Sequence, residues 1–591
     1  MSPGALSGKV AGLGTRPRTA TGTARGNFGA ALRVPVSLLL SLLLPWCWLL
    51  ARAETGPRLH PALLGHWKLE SDARDTSGHG HHGVNHGVRF ERKGRSSLAV
   101  FDGRGAWIEI PSGPALEIGR RDFTIAVWVW LPPEGEQDDA FGDVLSQFDP
   151  RSRKGWGLRI THHTGVTTSQ SNARQVHFGL DDGQQPAPWI DHGRPGNAVL
   201  VFALAAYDGG LYAGTCEPGP GERGGVYHFR GGTDWADCGS PAPCNSVSAL
   251  AEWNGQLYAG VANYRLAGSA LPESTNPHSG GKVFRYRGGR SWEDCGQLPG
   301  TEAVGGLVVY RGALYASSLY RPAGFFRYEG QKRWTPLPTP GNLRVEAMCV
   351  YDGFLFASSY DQGHVFRYDG ESWADCGQVG PKENTQTYSF AVHSGRLMVG
   401  TWSTGRVYRY GGDHRWEDWG RLGQELEVMG MMVHNGMLYA GTLPQAEVYR
   451  CDGPDRWKRM VQLDATPGVK YRRAWTMAEF HGRLFCGTLP SGKVWSFESG
   501  QNVTHDRSLP AGWNHLAATR EGGRLRLFVG GKPVAASGEL SSPPLDASPE
   551  MPLKLGFGSN DYLRGRLRDV RWYSHALDPR ELGRLVRQTL P

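Results

Sequence analysis

Apolar and polar residues alternate along most of the chain in short runs separated by glycine-centred turns, the two-residue period of half-buried β-strands. One pattern recurs. A G-x-L-[YFM] step places its leucine at 211, 257, 314, 355, 397, 438 and 484, at spacings of 46, 57, 41, 42, 41 and 46 residues. A second strand-like run follows each step, as in Val283-Phe284-Arg285-Tyr286 and Val407-Tyr408-Arg409-Tyr410. Six of these runs lead to a tryptophan (235, 292, 334, 373, 416 and 457), often as W-x-D-x-G. With the alternating run before each leucine, such as Ser248 to Trp253, every unit supplies four short strands, which is one propeller blade. The seventh unit ends at Phe497 without its tryptophan strand, and Trp189-Ile190-Asp191-His192-Gly193 upstream can replace it. The expectation is a seven-bladed β-propeller over 183–500, its last blade completed by 186–193 so that no sheet edge stays open.

The flanks, 54–182 and 501–591, lack this repeat. They carry strand runs such as Phe123 to Trp130 and Leu525 to Val529. LLGHWKLESDARDTSGHGHHG, AVFDGRGAWIEIP and DFTIAVWVWL in the first flank resemble the laminin G-like branch of the concanavalin A-like lectin/glucanase superfamily, as do GWNHLAATREGGRLRLFVGGKPV and LKLGFGSNDYLRGRLRDVRWYSHALDPREL in the second. The resemblance implies an all-β chain: one two-sheet jelly-roll sandwich into which the propeller is inserted. It also implies a calcium ion held by carboxylate and carbonyl oxygens, with Asp75 and Asp561 as candidate ligands.

Composition narrows the class. Of 591 residues 83 are glycine, and the formal charge is +8. Six basic and no acidic residues fall in 1–53, which leaves the rest of the chain at a net +2 and removes the case for nucleic acid. That segment reads as a signal peptide with a long basic n-region, the 17-residue apolar run Val34 to Leu50, and cleavage after Ala53. The implied location is secreted; an uncleaved signal that anchors the chain at the membrane is the alternative. No other stretch is apolar enough to span a bilayer. Eight cysteines lie between 216 and 486 and follow the repeat, so most are expected as buried thiols, with Cys238 and Cys244 as a local disulfide. The sequon at Asn502 predicts a glycosylated surface loop.

No H-E-x-x-H, P-loop, G-x-S-x-G or paired C-x-x-C motif is present. Arg285, Arg367 and Arg409 are each followed on the next strand by an aspartate (Asp294, Asp375, Asp418), which suggests cross-strand ion pairs. The histidines between His79 and His86 belong to a turn. The repeat symmetry breaks in the second blade, where 262–281 is an insertion carrying Tyr264, Arg265, Asn276 and His278 on the loop face that also holds Tyr360 and Trp402. These six are the candidate ligand contacts. Glu217, Glu346, Asp361 and Glu427 could approach a central pocket, but the sequence selects no catalytic pair. The leading expectation is a noncatalytic recognition protein for an extracellular glycan or protein. A polysaccharide hydrolase or lyase acting in the central pocket, and an architectural surface protein, are the alternatives.

Overall fold

The computed structural model describes residues 62–93, 96–133, 142–163, 170–184, 186–538 and 543–591. The leader lies outside them. No helix among the described residues is long and apolar enough to cross a membrane.

Two sheets draw strands from both flanks. The first runs Arg89–Lys93, Ser96–Asp102, Arg564–Tyr573, Phe123–Leu131, Gly512–Glu521, Arg524–Val529, Lys532–Ala536, with Leu63–Trp67 also paired to Arg564–Tyr573. The second runs Val84–His86, Trp107–Ile110, Leu553–Leu555, Gly142–Asp149, Lys154–His163, Asn172–Asp182, Gln501–His505. Alternation decides which residues face inward. From Phe123–Leu131, Ile125, Val127 and Val129 enter a core shared with Trp67, Trp156, Phe178 and Trp572, while Ala126 faces the other way. Trp156 and Trp572 meet edge to face at 5.4 Å. The α-helix Pro579–Thr589 covers the outward patch at Ala126, Ala517 and Phe528 with Leu582 and Leu585. Asp578 and Glu581 start that helix with a capping box.

Between the flanks the chain folds into antiparallel four-stranded blades. Their first strands are Leu200–Tyr207, Ser246–Trp253, Val304–Tyr310, Met348–Tyr351, Gln386–His393, Glu427–His434 and Arg473–Phe480. Each packs on the next in chain order, and Arg473–Phe480 packs back on Leu200–Tyr207. Ile190–Asp191 pairs with Val494–Phe497 as the outer strand of that last set. In five units the residue three after the leucine is a glycine, with Ser317 and Ser358 in the other two, and it allows this close approach: a Cβ on Gly260 would stand 2.6 Å from Val304 Cγ1, and one on Gly487 2.8 Å from Val201 Cβ. The repeated tryptophans join neighbouring blades, since Trp292 Nε1 donates to the Cys238 carbonyl at 2.8 Å, Trp416 to Cys376 at 2.9 Å and Trp457 to Trp419 at 2.8 Å. Trp235 does the same across the closure, donating to the His192 carbonyl at 2.8 Å.

Three expectations change. The W-x-D-x-G aspartates do not pair with the arginines, because the register puts Glu293, Ala374 and Glu417 opposite Arg285, Arg367 and Arg409. Each aspartate accepts the backbone N–H of the glycine two residues on, at 2.7, 2.7 and 2.8 Å for Asp294, Asp375 and Asp418, and meets a different basic side chain across the strands, Lys282, His364 and Arg406. Arg285 and Arg409 pair with Glu293 and Glu417, and Arg367 lies over the Phe354 ring. Cys238 and Cys244 form no disulfide: both are buried and free, their sulfurs turned to the carbonyls of Ala236 and Ser246 at 3.7 and 3.8 Å. Burial pushes the Cys244 thiol up to about 11, which keeps it a protonated, inert core group. Asn502 is not on a surface loop. It lies buried in Gln501–His505, its Nδ2 donating to the Ser499 carbonyl at 2.8 Å and its Oδ1 2.9 Å from His177 Nε2, so a glycan cannot be carried there in the folded chain.

Candidate ligand-binding cavity

At the propeller axis the first strands leave a cavity of about 450 Å³. Its walls combine aromatic rings from several blades, among them Phe202, Tyr264, Tyr360, Tyr388, Trp402 and Trp475, with Arg265, Arg344, Glu427 and Arg473. Phe202, Tyr388, Glu427, Arg473 and Trp475 enter from the starts of first strands, whereas Tyr360 and Trp402 come from the ends of second strands and the loops after them, and Tyr264 and Arg265 from the second-blade insertion. The insertion of the second blade forms one wall and is itself tied down. Tyr264 Oη lies 2.6 Å from Ser269 Oγ, and Glu273 accepts the backbone N–H groups of Leu266 and Ala267 at 2.9 and 3.0 Å.

The charges are disposed unequally. Arg344 is engaged by Asp361 through Nε and Nη2 at 3.2 and 3.0 Å, and Arg265 pairs with Glu302. Arg473 is buried; its Nη1 donates to Ser269 Oγ at 2.7 Å, while its Nε has no hydrogen-bond partner and stands 3.9 Å from Glu427 Oε2. The guanidinium is flanked by the Tyr471 and Trp475 rings at 5.6 and 5.5 Å. Trp475 Nε1 and Glu427 Oε1 also lack partners. Burial raises the Glu427 carboxyl above its ordinary range against the pull of Arg473 and Tyr388. Behind this wall Glu346 is fully buried with both oxygens unpaired. Burial pushes its carboxyl up to about 8, against the opposing influence of Arg344 and Tyr360.

Four of the six expected contacts, Tyr264, Arg265, Tyr360 and Trp402, line the cavity. Asn276 and His278 do not. Asn276 Nδ2 donates to the carbonyls of Glu222 and Pro243 at 3.0 and 2.9 Å, fastening the insertion to the first blade, and the His278 backbone closes the turn onto Asn276 Oδ1 at 2.9 Å. Glu217 is spent on Thr215, Tyr227 and the Asn197 N–H at 2.7, 2.8 and 3.1 Å. Asp75 accepts four donors, from His66 N, Ser77 N, Ser77 Oγ and His81 N at 2.8 to 3.0 Å, and so holds a turn. Asp561 lies buried elsewhere, beside Asp143, and shares no hydrogen-bond partner with Asp75. Arg473 and Trp475 line the cavity without being among the sequence-predicted contacts. Their signal was available as the one Arg-x-Trp start among the seven first strands.

A second polar cluster joins sandwich and propeller. His177, His434 and Glu479 place ligand-type atoms within 4.8 Å of one another, all buried. Arg159 Nη2 and His434 Nδ1 both lie 2.7 Å from Glu479 Oε1, so a guanidinium already supplies the positive charge a metal would bring. Burial acts to raise Glu479, and Arg159 with the two histidines overrides it and holds the carboxyl well below the usual range. Burial keeps His177 neutral, down at about 3.

Residues 473–583 match the family model of the Concanavalin A-like lectin/glucanases superfamily. The matched segment begins at Arg473 in the last blade and ends at Gly583 in the second flank. A search of curated proteins finds no match. Among solved structures, the chain is similar to a catalytically inactive virginiamycin B lyase from Staphylococcus aureus with quinupristin, at 10% identity over 53% of this chain and 99% of that one, with a TM-score of 0.40. It is also similar to the extracellular domain of BT4673 from B. thetaiotaomicron (12%, 62% and 49%, TM-score 0.40). A third is the WD40 propeller domain of Doa1 (10%, 53% and 97%, TM-score 0.39).

Proposed function

We propose that the chain is an exported recognition protein, a laminin G-like sandwich carrying an inserted seven-bladed propeller, which binds an extracellular glycan without turning it over. The observation that carries this reading is the axial cavity, lined by aromatic rings that meet edge to face or tilted and by Arg473, Trp475 and Glu427, each of which has a buried polar atom without a partner. Flat apolar rings suit the C–H faces of a sugar, and scattered donors and acceptors suit its hydroxyls. Glycoside hydrolysis by the usual route needs two working carboxylates. Of the two that line the cavity, Glu273 is consumed by backbone donors and Glu427 alone has a free oxygen. That disposition favours binding over cleavage.

The test is a glycan array probed with and without calcium, followed by assay of the retained glycans for released fragments. The expected result is retention with no release. Release of reducing ends would move the assignment to a hydrolase, and absence of retention on every glycan would move it to a protein partner.

A further inference from the structure

We infer that the axial cavity selects a sugar acid: a uronate whose carboxylate sits against Arg473 and Trp475 while a ring hydroxyl donates to Glu427. This rests on the carbohydrate reading and specifies its ligand.

The argument starts from how the three cavity arginines are employed. Arg344 and Arg265 already have carboxylate partners. Arg473 does not have a complete set, for its Nε–H is unpaired and its contact with Glu427 is longer than a hydrogen bond. A buried guanidinium with an unmade hydrogen bond is costly, and it gains most from an anionic acceptor, since charge-assisted bonds are about twice as strong as neutral ones. Trp475 adds a second unpaired donor two residues along the same strand, with its ring centroid 5.5 Å from the Arg473 guanidinium carbon. Both residues line the cavity, and a carboxylate brings an acceptor oxygen for each unpaired N–H where a hydroxyl brings one. Ser269, which accepts from Arg473 Nη1, belongs to the second-blade insertion, so the segment that breaks the repeat symmetry also fixes the guanidinium. Glu427 Oε1 then supplies the acceptor that a hydroxyl requires, and the aromatic rings supply the stacking faces.

The experiment compares glucuronate- and galacturonate-terminated oligosaccharides with their neutral hexose counterparts by titration calorimetry. The proteins are the wild-type chain, Trp475→Phe and Arg473→Lys. Trp475→Phe keeps the ring and removes only the N–H. The wild type is expected to bind the uronate tighter by about tenfold or more, the scale of one charge-assisted hydrogen bond. Trp475→Phe should narrow that preference, and Arg473→Lys, which removes the Nε–H and the fork, should abolish it. Equal binding of acid and neutral sugars by the wild type overturns the sugar-acid assignment and leaves the carbohydrate reading standing. Binding of neither overturns both. A uronate preference unchanged in Trp475→Phe places the carboxylate elsewhere and overturns the assignment even if Arg473→Lys does not fold.

Discussion

Glu346→Gln stabilises the protein, and the gain widens as the pH rises. The side chain is fully buried, neither carboxyl oxygen has a hydrogen-bond partner, and burial pushes its pKa up to about 8 from an ordinary 4.5. The folded-state pKa is raised, so the stabilising contribution of the protonated form is fully present below pH 4.5 and is lost as the pH climbs through 8. Over that window wild-type stability falls relative to an un-ionisable variant by about 1.4 kcal/mol per pH unit, a total on the order of 5 kcal/mol. Glutamine keeps the shape and has no proton to lose. Chemical denaturation of both proteins from pH 4.5 to 9 should give curves that diverge upward and run parallel above 8. Parallel curves throughout would mean that Glu346 ionises freely and that the wall behind Tyr360 is wet.

Glu479→Gln acts in the opposite direction and is expected to cost about 3–5 kcal/mol, the loss seen when one partner of a buried ion pair is removed. Glu479 gathers Arg159 from the sandwich and His434 from the propeller onto one oxygen, with His177 at 3.5 Å. Arg159 already has an unpaired Nε, and without the carboxylate its buried guanidinium would lose its ion-pair partner and keep only the cross-strand neighbour Asp143 as a nearby acid. Glu293→Gln is the control. That carboxylate pairs with Arg285 and Arg287 on the exposed edge of the second blade, and its loss should leave the denaturation midpoint unchanged. Equal effects of the two substitutions would show that the Arg159–Glu479 pair does not hold sandwich and propeller together.

The repeat made the propeller legible because each blade needs the same few devices. A leucine fills the blade interior, a glycine in five units and a serine in two stands where the next blade approaches, and a tryptophan in six bonds back to the previous blade, all at nearly fixed offsets. The sandwich was legible through its motifs and alternation. Details that depend on register were not. The hairpin register, with Tyr286 opposite Trp292, puts Glu293 opposite Arg285 and Asp294 opposite Phe284, and Asp294 accepts from its own turn glycine. Asn502 sits in a sequon, yet nothing local reveals that its strand pairs with Asn172–Asp182 and buries it. The cavity was half legible. The insertion announced itself by its length and brought Tyr264 and Arg265, whereas Arg473 and Trp475 stand on a strand of ordinary length and matter only because the ring places them beside that insertion.

The central claim is that the axial cavity is the binding site, and a crystal structure of the chain with a retained glycan tests it most directly. The sugar should lie in the axial cavity, with a carboxylate within hydrogen-bond distance of Arg473 Nε and Trp475 Nε1 and a hydroxyl on Glu427. A glycan bound on the sandwich, with nothing at the axis, would contradict it.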